Sequence, residues 1–313
     1  MLMNYCVIIG GAGFIGMSIC QSLLATGRKI AVVDILPRPP ALNSSARYLR
    51  VDFSDFEKLG PLLQEADEII HLAHVGFPGY SRRHIAMELS ENALPTISLM
   101  ELCATLKLRR FILMSSGGAV YGQPKYLPLN EKHPTNPISP YGITKLTIER
   151  FANFLFLSKG FPVIVARPGN AYGEAQLPGT GIGFISTLID AFIHHKPLVQ
   201  YGPRGTIRDY IHVDDIAGGI KAILEYGEVG EAYNLGTGVG CDNLQLFGLV
   251  LTRAQSSGFS SPAIEQKPFR FGDVDINVLN SEKLQAICDW LPQVEIEMGV
   301  QRCWDSILKN RVL

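Results

Sequence analysis

Tyr141 and Lys145, in the run Ser139-Pro140-Tyr141-Gly142-Ile143-Thr144-Lys145, are residues whose types and spacing can do chemistry. Four positions apart on a helix, they share a face, which puts the lysine ammonium beside the phenol. A cation there favours phenolate and draws a pKa of about 10 toward the working pH. The oxygen can then exchange a proton with a carbinol or a carbonyl, which suits alcohol oxidation. An amphipathic surface helix can carry the same pair without using it, so the elements that would position the pair decide its meaning.

The first of those elements is at the amino terminus. Tyr5-Cys6-Val7-Ile8-Ile9 reads as a buried strand that runs into Gly10-Gly11-Ala12-Gly13-Phe14-Ile15-Gly16, where a helical pattern begins. Glycines at 10, 13 and 16 let a backbone approach a pyrophosphate, aim a helix N-terminus at its charge and pack helix on strand. A second apolar strand, Ile30-Ala31-Val32-Val33, ends in Asp34, placed to accept from an adenosine ribose. A carboxylate there repels a 2′-phosphate, so the expected cofactor is NAD rather than NADP. A third unit follows, Tyr48-Leu49-Arg50-Val51-Asp52-Phe53, then a helix and Glu68-Ile69-Ile70-His71-Leu72-Ala73. Asp52 is expected near the adenine and Ala73 near the diphosphate and ribose.

At 313 residues the chain can bury a large core in one large or two modest domains. With 28 basic and 29 acidic residues, the net charge of −1 offers nothing to a polyelectrolyte, so nucleic acid is excluded as a partner. Cys6, Cys20, Cys103, Cys241, Cys288 and Cys303 are scattered without CxxC spacing and read as reduced cysteines of a cytoplasmic protein. No metal site is expected, because His71 and His74 straddle a strand end with no cysteine or carboxylate nearby in sequence. The N-terminal apolar run is too short and too glycine-rich to cross a membrane and lacks the basic start of a signal peptide.

Strand and helix patterns alternate to about residue 168, including Arg110–Met114 after a helix that contains Asn92 and ends near Lys107, and Gly160–Arg167 after the Tyr141 helix. That alternation predicts an α/β fold, a Rossmann doubly wound parallel sheet in 1–168. From Pro168 to Gly183 lies a long glycine-rich loop, of the kind that carries function. A smaller mixed α/β domain is expected over 169–313, with a return segment to the first domain around 205–222.

Taken together these motifs resemble the extended short-chain dehydrogenase/reductase family acting on nucleotide sugars, of the UDP-glucose 4-epimerase type. Further runs carry the resemblance: Ser115-Ser116 before Val120-Tyr121-Gly122, Arg167-Pro168-Gly169-Asn170-Ala171-Tyr172-Gly173, Thr206 through Asp215, Tyr233-Asn234-Leu235-Gly236-Thr237-Gly238, and Arg270-Phe271-Gly272-Asp273. It implies a catalytic set of Ser116, Tyr141 and Lys145. It implies cofactor contacts from Gly10, Gly13, Phe14, Ile15, Gly16, Asp34, Asp52, Phe53, Leu72, Ala73, Asn92 and Pro168 as well as Tyr141 and Lys145. Substrate contacts are implied at Ser116, Asn170, Tyr201, Arg208, Arg270 and Asn277, the two arginines suiting a diphosphate because a guanidinium can pair bidentately with phosphate oxygens.

Two registers, from Phe111 and from Tyr141, place the serine role at Ser116, whereas counting from Val120-Tyr121-Gly122 places Gly117 there. On the first reading, exchange of Gly117 for alanine is milder than exchange of Ser116. His74 departs from the resemblance, which favours a small residue at its position. Asn277, seven residues beyond Arg270, stands where the family gates the sugar's C2 with a bulky tyrosine or a smaller residue; alternatively it faces solvent in a shifted loop.

The implied reaction is NAD-dependent 4-epimerisation of a UDP-sugar, N-acetylated forms included, within carbohydrate metabolism such as polysaccharide biosynthesis. Dehydration is excluded by Gly117-Gly118, where dehydratases carry an acidic pair. A 4-keto-6-deoxy sugar reductase uses the same three residues and is the enzymatic alternative. A catalytically silent nucleotide-sugar or NAD-binding protein is the other. A homodimer is expected through helices near 85–107 and 141–158, because Phe151, Phe154, Leu155 and Leu157 exceed what one face can bury.

Overall fold

The computed structural model describes residues 5–76, 85–176, 183–268 and 272–311. Seven strands form one sheet: β1 (Tyr5–Ile9), β2 (Lys29–Asp34), β3 (Arg47–Arg50), β4 (Glu68–His71), β5 (Arg110–Met114), β6 (Val163–Pro168) and β10 (Ala232–Leu235). Their order is β10-β6-β5-β4-β1-β2-β3, and every pairing is parallel. The chain reverses its direction of winding between β1 and β4, and the crevice beyond the carboxyl ends of those two strands is where such sheets hold ligands.

Strand periodicity explains why the sheet is covered on both faces. Cys6, Ile8, Ile30, Val32, Ile70, Ile112 and Ile164 point to one side and pack with Ile19 and Leu23 of helix Phe14–Ala25 and with Ile216, Ile220 and Ile223 of helix Val213–Tyr226. Their neighbours Val7, Ile9, Ala31, Val33, Ile69, Phe111 and Val163 point to the other side, against Leu59, Leu99, Ile148 and Leu155.

The third strand is shorter than its apolar run predicts. It ends at Arg50 because Asp52 turns the chain, accepting from the Ser54 backbone N–H at 2.8 Å and from its hydroxyl at 2.7 Å. The helix carrying Asn92 is not uniform either. Segments Ile85–Glu88 and Leu94–Cys103 are joined by a π-helical turn at Leu89–Ala93, and the α-helix stops at Cys103.

After β6 the chain leaves the large sheet. Strands β7 (Asn170–Tyr172), β9 (Ile207–His212), β11 (Gly240–Cys241) and β13 (Ile276–Asn277) make a second sheet, and β8 (Leu198–Tyr201) pairs with β12 (Ile264–Lys267). Helices Phe184–His194, Asn243–Ser256 and Ile296–Arg311 enclose a separate core around Tyr172, Leu188, Phe192, Leu246 and Trp304. Between them, Val213–Tyr226 and β10 return the chain to the large sheet. Among the described residues no helix is long and apolar enough to cross a membrane.

Candidate active site

The glycine turn is built as its spacing requires. Gly10 has φ +82°, and a Cβ on it would lie 2.7 Å from the Ala73 backbone nitrogen. A Cβ on Gly16 would lie 2.5 Å from the Gly10 carbonyl oxygen, so helix and turn touch through bare backbone. Gly13 caps helix Phe14–Ala25 with no side-chain bond, which leaves its leading N–H groups to an anion.

Beside this turn runs a groove of about 300 Å³, lined by Gly10, Gly13, Asp34, Asp52, Phe53, Leu72, Ala73 and His74, among others. Asp34 is fixed there by the backbone N–H groups of Ala12 and Leu36, each at 3.0 Å. An apolar slot ending in a carboxylate, open to bare N–H groups, fits the adenosine and diphosphate of NAD. Asn92 bears on that groove indirectly. Its amide accepts from the Val75 N–H at 2.6 Å and donates to the Val75 carbonyl at 3.1 Å, pinning the turn that follows Ala73.

The reacting groups gather at the carboxyl end of β5. Ser139 caps the Tyr141 helix (Pro140–Lys159) by accepting from the Gly142 N–H at 3.1 Å, and Pro140 opens its first turn. The Ser116 side chain neighbours the Tyr141 phenol, and Lys145 donates to the Met114 carbonyl at 3.0 Å. Of the two registers, it is therefore Ser116 that meets the phenol. Gly117 serves packing: a Cβ there would lie 2.6 Å from the Leu279 side chain and 2.9 Å from the Arg167 carbonyl oxygen. An alanine there would crowd both, a packing cost that the sequence did not show.

The electrostatics differ from the simple pairing. Burial pushes the Tyr141 phenol up to about 12, partly offset by the Ser116 hydrogen bond, with the Glu88 charge adding to the rise. Burial likewise pushes Lys145 down to about 8, opposed by Glu88 and Glu149. The lysine nitrogen lies 5.7 Å from the centre of the phenol ring and is spent on a backbone carbonyl, so desolvation outweighs it.

The expected substrate residues divide. Asn170 reaches Gly118, its Oδ1 lying 3.1 Å from where a Cβ would stand, and Pro168 ends β6 beside it. Arg208 is adjacent to Asn277 across the β9–β13 pairing and donates to the Ile207 carbonyl at 2.9 Å. Asn277 is buried rather than in solvent. It donates to the Gly117 carbonyl at 3.0 Å, while its own Oδ1 is buried without a partner among the described residues. Tyr201 ends β8 on the rim of the second sheet region, half-buried, and Arg270 lies outside the described residues.

Two groups of residues escaped the reading of the sequence. One is a buried chain in which Ser115 donates to Glu149, Glu149 pairs with Arg167 at 2.6 Å, Arg167 donates to the Tyr121 hydroxyl at 3.0 Å, and Tyr121 donates to Asn234 at 2.7 Å. It ties the Tyr141 helix to β5, β6 and β10 directly behind the site. The other is His74 with Glu88, whose signal was the odd histidine after Leu72-Ala73. Asp209 is also structural, accepting from the Thr237, Gly238 and Leu279 N–H groups at 2.9–3.1 Å.

Known proteins share this fold. The sequence profile of the NAD dependent epimerase/dehydratase family matches residues 6–236. The chain belongs to that family. It is 30% identical over 309 residues to a putative UDP-glucose 4-epimerase of Methanocaldococcus jannaschii, covering 97% of this chain and 98% of the relative. Among solved structures, the UDP-glucose 4-epimerase of Thermotoga maritima with UDP-glucose superposes with a TM-score of 0.90 at 29% identity, over 98% of this chain and 99% of the other. The UDP-glucose 4-epimerase of Thermus thermophilus in complex with NAD gives 0.89 at 29% identity, over 97% and 99%.

Proposed function

We propose that the protein is an NAD-dependent nucleotide-sugar 4-epimerase acting on UDP-sugars of the glucose and galactose type through a transient 4-keto form. The observation that carries this reading is the placing of Ser116 and Tyr141 together just beyond β5, beside a groove lined by the glycine turn and Asp34. Tyr141, as the phenolate, takes the proton of the sugar's 4-hydroxyl and later restores it. Ser116 holds the same oxygen, and Lys145 sets the charge around the phenol. NAD, when bound, supplies a reversible acceptor for the C4 hydride, so no net oxidation results.

Asn170, Tyr201, Arg208 and Arg270 are assigned to the nucleoside diphosphate. Asn277 is assigned to the sugar's C2 side. It presents a buried, unpartnered Oδ1 that an acetamido N–H can satisfy, so N-acetylated sugars are accepted alongside plain hexoses. We assign 1–168, with the returning segment, to NAD and 169–313 to the nucleotide sugar. The six unpaired cysteines fit a reducing cytoplasm.

Copurification tests the cofactor's role. An epimerase that regenerates its cofactor in every cycle retains NAD through purification, whereas a reductase exchanges it. Calorimetry on the stripped protein should show NAD binding at least about tenfold tighter than NADP, because Asp34 meets the 2′-phosphate. Equal affinities contradict the charge argument.

A further inference from the structure

We propose that His74 is a positioning residue for Tyr141: its ring, which also lines the dinucleotide groove, packs at right angles to the phenol ring and sets where the phenol oxygen lies. The inference deepens the epimerase reading and rests on it for its kinetic readout.

Tyr141 stands in the first turn of its helix, just inside the Ser139 cap, so its backbone is settled while the side chain still has two torsions to fix. Its neighbours fix them. The His74 ring meets the Tyr141 ring with centroids 4.9 Å apart and planes at 84°, the edge-to-face arrangement that aromatic rings favour. Lys145 Nζ stands 5.7 Å from the centre of the same ring, and the Ser116 side chain neighbours the phenol.

His74 is itself well held. It follows Ala73, whose backbone nitrogen packs against Gly10, and precedes Val75, whose N–H and carbonyl are both engaged by the Asn92 amide, at 2.6 and 3.1 Å. The His74 side chain is 10% exposed, and its Nε2 faces Glu88 Oε2 at 3.5 Å, longer than a good hydrogen bond. Backbone and packing therefore hold the ring more than that polar contact does. A small side chain, which the family resemblance favours at 74, has no ring to set against the phenol. Burial first, then the Lys145 charge, pushes His74 down to about 4 against the pull of Glu88, so the ring is neutral and a phenylalanine ring can stand in for it.

The test separates the ring from the polar contact. His74→Phe keeps an aromatic ring, and His74→Gln keeps a polar group toward Glu88 without one. With C4 inversion followed by NMR at saturating NAD, His74→Gln should lose about tenfold in kcat with KM little changed, while His74→Phe should stay within about threefold of the parent. Crystal structures of the parent and both variants give a second readout that needs no sugar: the Tyr141 hydroxyl should keep its place with phenylalanine and leave it with glutamine. Should His74→Phe not fold, His74→Phe with Glu88→Met replaces the polar pair by apolar groups of similar volume and serves in its stead. His74→Gln as fast as the parent, or a phenol unmoved in it, overturns the proposal, and so does a folded phenylalanine variant as slow as His74→Gln. A parent that inverts no sugar defeats the epimerase reading instead, and the place of Tyr141 in the three structures still decides the role of His74.

Discussion

At the scale of single residues, the proposed chemistry concentrates on one phenol. Tyr141→Phe keeps the ring contacts with His74 and removes the proton carrier, so it should fold, bind NAD and lose at least about a hundredfold in turnover. Ser116→Ala leaves the acid/base in place and removes the hydroxyl that meets it, so its loss should be smaller and fall on kcat more than on KM. Steady-state kinetics on both variants checks the order; equal activity of parent and Ser116→Ala removes Ser116 from the site. The positions of these residues, like those of Gly10, Gly13, Gly16 and Asp34, were legible in the sequence because they depend on spacing within one turn or one strand end. The charge balance was not. That a lysine four residues away loses to desolvation depends on Met114, Glu88 and Glu149, which only the folded chain brings together.

Elements set how closely these residues can approach. Gly117 begins the short helix Gly117–Val120 that follows Ser116, wedged between Leu279 and the backbone of β6. Gly117→Ala should overpack this junction and destabilise the protein by about 1–3 kcal/mol. Thermal melts compared with Gly118→Ala check this, since among the described residues the Gly118 site has only the Asn170 and Ser116 side chains nearby. Equal melting temperatures for the two variants contradict it. The strand series was readable from alternating apolar runs. The Ser115–Glu149–Arg167–Tyr121–Asn234 chain was not, because its members lie 18 to 113 residues apart.

The Tyr141 helix has a second face to explain. Leu155 belongs to the sheet core at 3% exposure, a correction to its expected place on the outer face, while Ile143, Phe151, Phe154 and Leu157 are 45–74% exposed. Leu89 and Leu94 on the adjacent Asn92 helix are exposed too. We propose that this surface pairs with its symmetry mate as a four-helix bundle, because so many large apolar side chains on neighbouring helices are costly to leave in water. Light scattering should report a dimer, and Phe154→Glu with Leu157→Glu should yield a folded monomer. A monomeric parent contradicts the proposal.

Across the whole molecule, the dinucleotide groove lies along the carboxyl edge of the large sheet, and the second sheet brings Asn170, Arg208 and Asn277 over the end of β5. The proposed inversion without net redox requires a sugar held there with its C4 facing Tyr141 and the cofactor. The decisive measurement is NMR of UDP-glucose, UDP-galactose and their N-acetylated forms incubated with purified protein and no added cofactor. Inversion at C4 of both the plain and the acetamido sugars is the predicted result. Inversion of plain hexoses alone would remove Asn277 from its assigned role. No inversion of any of them, together with NADH-dependent reduction of a 4-keto sugar, would contradict the central claim and make the protein a reductase.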